Sequence, residues 1–152
     1  MHIPASNFNA PVSRPRARLL VVDDDQLVRE LHARVLNLAG YETETAQDGI
    51  EALERLANEP FDLVLTDKHM PRLSGAGIVM ALRSAGSRIP IVMVSGSIAH
   101  HPLPDAVARE VFVALPKPAR TAEVISAVAL ALSSRPAPPR ERLIRYDQYV
   151  EA

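Results

Sequence analysis

The chain has 152 residues, 47% of them hydrophobic and 23% charged, enough for one domain with its own core and short for two. A net charge of −1 gives no general attraction to nucleic acid or anionic membrane, and the absence of cysteine excludes disulfides and thiolate chemistry. No apolar run reaches signal-peptide or bilayer-spanning length, so a soluble, cytoplasmic protein is expected.

Residues 1–16 carry Pro4, Pro11 and Pro15 and few groups worth burying, so they are expected to form a flexible tail. From residue 17 the elements alternate. ARLLVVD is a strand. QLVRELHARVLNLAG is a helix with Leu27, Val28, Leu31, Val35 and Leu38 on one face, Asp25 to cap its start and Gly40 to end it. YETETA is a second, shorter strand. DGIEALERLANE opens with Asp48 and Glu51 in a variant of the capping box and continues as a helix. FDLVLTD is the third strand, GAGIVMALRSAG the next helix and IPIVMVS the fourth strand. HHPLPDAVARE has room only for a short helix, because Pro102 and Pro104 interrupt its start. VFVAL is a fifth strand and TAEVISAVALALSS a final helix, buried on one side. Residues 134–152 form a Pro-rich tail whose RPAPPR reads as a solvated linker and whose closing RERLIRYDQYVEA has the makings of a short helix. Five βα units in this order argue an α/β fold, a parallel sheet covered by helices on both faces.

That architecture sends several polar residues to one address, the carboxyl ends of the strands. Asp23, Asp24 and Asp25 close the first strand, Asp67 the third and Ser95 the fourth, and Lys117 follows the fifth. Carboxylates gathered so closely repel one another unless protonated or neutralised, and a hard divalent cation does the latter. Magnesium suits such a site, since it takes one or two carboxylates and leaves room for phosphate oxygens.

The stretches VVDDDQ, LTDKHMP with Ser74-Gly75, VMVSG and LPKPA, together with AQDGIEAL, occur in an order and at separations that resemble the receiver domain of two-component response regulators. The resemblance covers residues 17–133 and implies a doubly wound, five-stranded parallel sheet of flavodoxin-like, CheY-like order 2-1-3-4-5. It implies that Asp67 accepts a phosphoryl group from a sensor histidine kinase or a histidine phosphotransfer protein. Asp23 and Asp24 match the acidic pair that holds Mg²⁺, with Asp67 and the backbone carbonyl of His69 completing the protein ligands. Ser95 matches the hydroxyl that bonds the phosphoryl oxygen and Lys117 the lysine that balances its charge, and the Lys117-Pro118 peptide is expected to be cis.

Four positions depart from the family pattern. Lys68 stands beside the acceptor, either solvated or attracting phosphate. Ser74 replaces the acid usual before Gly75 and offers a helix cap. Ala114 sits where many receivers carry an aromatic switch residue, and Ala119 where phenylalanine is common. His100-His101 reads as solvent-exposed and His32 as a surface helix residue.

Two other readings belong to different classes. Asp23-Asp24-Asp25 also spells the Asp-x-Asp of haloacid-dehalogenase-like phosphatases, with Asp23 as nucleophile, but leaves Asp67 idle. A degenerate receiver acting as a phosphorylation-independent adaptor is favoured by Ala114 and opposed by the intact acids, hydroxyl and lysine. Roughly twenty residues follow the last helix, too few for a core of their own, so a stand-alone receiver is expected, signalling through an unknown downstream protein with neither nucleic acid nor membrane as partner.

Overall fold

The computed structural model describes residues 16–97 and 100–134. RPAPPR, RERLIRYDQYVEA and all but the last residue of the 1–16 tail lie outside the described residues. Within them the order is β1 (Arg18–Val22), α1 (Gln26–Leu38), β2 (Glu42–Ala46), α2 (Gly49–Asn58), β3 (Leu63–Asp67), α3 (Gly75–Ser84), β4 (Ile91–Ser95), α4 (Asp105–Ala108), β5 (Val113–Pro116) and α5 (Thr121–Ser133). The five strands form one sheet in the order β2-β1-β3-β4-β5, every neighbouring pair parallel.

The period of two along each strand decides which core a residue joins. Leu20, Val22, Val64, Ile91 and Met93 pack with α2, α3 and α4. Leu19, Val21, Leu63, Leu65, Val92 and Val94 pack with α1 and α5 on the other face. With both faces covered, β1, β3 and β4 need apolar residues at every position rather than at alternate ones, which is why LLVV, LVL and IVMV read as continuous runs. β2 lies at an edge and reads ETETA, the polar sequence that an exposed edge tolerates. At the opposite end of the sheet from the acids, the Arg18 guanidinium lies 3.3 Å from Glu42, 3.4 Å from Glu44 and 3.5 Å from Glu59, and over the Phe61 ring at 4.7 Å. It ties β1 to β2 and to the loop before β3.

Local signals held closely. Asp25 accepts from the N–H groups of Leu27 and Val28, Asp48 from that of Glu51, and Ser74 from that of Gly77. Glu51 reaches back to the Gln47 N–H, one residue before the cap, which completes a shifted capping box. α4 is a single turn after Pro104. β5 starts two residues later than VFVAL suggests, because Val111 and Phe112 lie in the preceding loop, where Phe112 already bonds the Ile91 carbonyl.

The apolar face expected of α1 is a correction. Leu27, Leu31 and Leu38 are 78%, 55% and 81% exposed, whereas Leu36 is buried, and Val28, Ala33 and Val35 are half-buried. Two apolar stripes compete on this helix, and counting favoured the outer one. Packing selects the inner one, since Leu36 and Ala33 join the core shared with β1, β3, β4 and α5, and Arg29 Nη1 donates to the Asp23 carbonyl at 2.7 Å from the same side. His32 accordingly is not a surface residue but half-buried; burial pushes its pKa down, Asp23 pulls it up and Lys117 adds to the fall.

Candidate functional site

The strand order reverses between β1 and β3, so the crevice at their carboxyl ends is the natural place for a ligand. β1 delivers Asp23 and Asp24 to it, β3 Asp67, β4 Ser95 and the end of β5 Lys117. Asp23 is buried, Asp67 half-buried and Asp24 exposed, and one carboxylate oxygen from each lies within 4.8 Å of the others. Lys117 Nζ donates to Asp23 Oδ2 at 2.9 Å and stands 3.6 Å from Asp67 Oδ2. Asp23 Oδ1 accepts the Asp25 N–H at 2.9 Å, and Asp67 Oδ1 accepts the Lys68 N–H at 2.8 Å. Ser95 is 1% exposed. The Lys117-Pro118 peptide is cis.

Three carboxylates against one lysine leave an excess of two negative charges. At a separation of 4.8 Å or less, two unit charges repel by about 3 kcal/mol at an effective dielectric of about 20. Burial pushes the Asp67 carboxyl above its usual range, Lys117 pulls it back, and Asp23 adds to the rise. Lys117 also lies above its ordinary value: burial opposes its charge, but the hydrogen bond and charge of Asp23 and the charge of Asp67 outweigh burial. The same Lys117–Asp67 attraction therefore loses to burial at the acid and wins at the base, because the base has the nearer Asp23 as well.

This has a measurable consequence. An acid whose folded pKa exceeds its unfolded one binds more protons when folded, so it destabilises the fold above that raised pKa, and the deficit fades as pH falls into the ordinary carboxylate range. In EDTA at pH 7, Asp67→Asn raises the thermal midpoint, and the gain disappears near pH 4. A midpoint that is unchanged or lower at neutral pH contradicts this electrostatic picture. Lys117 behaves oppositely: its raised pKa contributes stability below the ordinary lysine range, lost only as pH rises through the folded value.

Other groups arrange the loops. Lys68 Nζ donates to the His101 carbonyl and so spans to the loop after β4. His69, exposed, places Nε2 at 2.8 Å from Ser97 Oγ, which lies 3.2 Å from Ser95 Oγ. Arg72, with a φ of 69°, bonds Asp48 Oδ2 at 3.1 Å and fastens the loop after β3 to the start of α2. His100 and His101 are exposed. Ala114 packs partly buried on the α3 side and Ala119 on the α5 side. Sequence reasoning did not single out the side chains of Arg29, Arg72 or Ser97; an arginine four residues past a cap or a serine two past a strand end has no spacing rule to mark it.

The family model for the response regulator receiver domain matches residues 19–129. The Response regulator MprA of Mycobacterium sp. (strain KMS) is 49% identical over 78 residues, which are 51% of this chain and 34% of that protein. That of Mycobacterium ulcerans (strain Agy99) is 46% identical over the same shares. The matched part thus spans about a third of the length of these curated relatives. Among solved structures, the response regulator TrrA of Thermotoga maritima in complex with Mg²⁺-BeF is 30% identical with a TM-score of 0.69, covering 76% of this chain and 99% of that one. The chemotaxis response regulator CheY4 of Vibrio cholerae is 30% identical with a TM-score of 0.69, covering 77% and 99%.

Proposed function

The chain belongs to the response regulator receiver domain family, and from that membership we propose that Asp67 is its phosphoacceptor, loaded from a phosphohistidine on a sensor kinase or phosphotransfer protein. The observation that carries the reading is the convergence of three carboxylates within 4.8 Å of one another, two of them beside a lysine ammonium. Such a donor set, all hard oxygen, fits Mg²⁺. Asp23, Asp24, Asp67 and the His69 carbonyl would hold the ion, and when bound it offsets the charge of the carboxylates and of phosphoryl oxygens.

The rest is the work of this chain's own side chains. A carboxylate oxygen of Asp67 attacks phosphorus in line, the P–N bond of the donor breaks, and its electron pair leaves with the imidazole. Lys117 balances the charge on the transferred group, and the Ser95 hydroxyl donates to one of its oxygens. Asp23 is a poor rival nucleophile, because it is 2% exposed and Lys117 bonds its Oδ2 at 2.9 Å, whereas Asp67 is half-buried with its Oδ2 3.6 Å from that ammonium. The phosphatase reading gains no support from that arrangement. Signal output is by contact with a downstream protein; no helix among the described residues is long and apolar enough to cross a membrane.

Labelling by acetyl phosphate, followed by intact mass across a Mg²⁺ titration, tests the reading. EDTA abolishes the labelled species, and Asp24→Asn raises the Mg²⁺ needed for half-labelling roughly tenfold or more. Labelling indifferent to Mg²⁺ sinks the proposal.

A further inference from the structure

Three side chains link the loop after Asp67 to the end of β4, and a count of protons gives them a direction. His69 Nε2 meets Ser97 Oγ at 2.8 Å, and Ser97 Oγ meets Ser95 Oγ at 3.2 Å. Ser95 Oγ also accepts the Ser97 N–H at 3.3 Å. Each hydroxyl has a single proton to donate, so Ser97 can donate to His69 or to Ser95 but not to both. If His69 Nε2 is unprotonated, Ser97 must donate to it, the Ser95–Ser97 bond then takes its proton from Ser95, and none is left for a phosphoryl oxygen. Only if His69 donates from Nε2–H is the Ser97 proton available to Ser95, which frees the Ser95 proton.

We infer that His69 is a positioning residue for the Ser95 hydroxyl: by donating to Ser97 it directs the chain inward, so that the buried serine presents its proton to the group on Asp67. The Nε2–H tautomer carries the required proton. Exposure of the ring at one end and near-complete burial of Ser95 at the other suit such a chain, since water competes for the imidazole but not for Ser95. Lys68, beside it, keeps the two loops in register through its bond to the His101 carbonyl. The inference rests on Asp67 as phosphoacceptor and adds to that role a residue outside the acids, hydroxyl and lysine of the site.

The test is a double-mutant cycle read by beryllofluoride binding in saturating Mg²⁺, using the full chain and calorimetry. His69→Ala weakens binding about tenfold, the factor that one hydrogen bond to a charged group commands. His69→Gln, whose amide N–H can donate to Ser97, recovers most of the loss. In a Ser97→Ala background, His69→Ala has no further effect. The thermal midpoint stays at the wild-type value in every variant, and Ser97→Ala keeps wild-type Mg²⁺ affinity without beryllofluoride. Wild-type binding by His69→Ala, an equal loss in the Ser97→Ala background, or a loss of Mg²⁺ affinity in Ser97→Ala each overturns the inference. Failure of the wild type both to bind beryllofluoride and to label with acetyl phosphate overturns the acceptor reading instead, and the role of His69 with it.

Discussion

Asp67→Asn abolishes labelling by acetyl phosphate. The amide keeps the shape of the carboxylate and an oxygen for the Lys68 N–H, which approaches Asp67 Oδ1 at 2.8 Å, so the fold and the loop persist. It lacks the charged oxygen that must attack phosphorus, and no other carboxylate in the cluster is as available. Asp23 is 2% exposed and bonded by Lys117 at 2.9 Å, and Asp24 lies exposed to solvent, whereas the Lys117 ammonium contacts Asp23 and Asp67. The expected effect is therefore loss of the adduct rather than a shift of site. Intact mass after equal incubation of both proteins checks it. An undiminished adduct on Asp67→Asn means that the nucleophile lies elsewhere.

The second large effect concerns Gly75. An added Cβ there would meet the Asp67 carbonyl oxygen at 2.2 Å and Lys68 Cα at 3.2 Å. Both are backbone atoms and cannot rotate away as a side-chain tip can. The Gly75 N–H also bonds the Lys68 carbonyl at 3.0 Å, so α3 begins directly against the backbone of Asp67 and Lys68. Gly75→Ala must push the start of α3 off β3 or strain the loop, and is expected to cost about 3 kcal/mol or more, in the range reserved for overpacking at a closed site. Gly40→Ala is the control: its φ is 102° but nothing lies within 4 Å of an added Cβ, so only the left-handed backbone penalty of about 1 to 2 kcal/mol applies. Urea denaturation of the two variants separates them. Equal costs show that the contact at Gly75 relaxes freely.

How far the sequence exposed this molecule depended on the kind of signal. Continuous apolar runs at LLVV, LVL and IVMV announced buried parallel strands, and residues that cap or break helices placed α1, α2 and α3 to within a few positions. The acids, Ser95 and Lys117 were legible because each closes or follows a strand, and the parallel topology brings strand ends together whatever lies between. The rotation of α1 was not legible. Periodicity names a stripe without saying which stripe faces in, and here Leu36 and Ala33 pack into the core while Arg29 reaches the Asp23 carbonyl across the loop. The chain from His69 through Ser97 was hidden for a similar reason: its partners are 28 residues apart and meet only once β3 and β4 are paired. Lys68, open in sequence to solvent or phosphate, instead binds a carbonyl in the loop after β4.

The most direct test of the acceptor is to trap it chemically. After incubation with acetyl phosphate and Mg²⁺, borohydride reduces an aspartyl phosphate to homoserine, and peptide mapping by tandem mass spectrometry locates it. A phosphoacceptor at the end of β3 leaves homoserine at position 67 alone. Homoserine at position 23 or 24, with position 67 unmodified, contradicts it and returns the chemistry to the first strand.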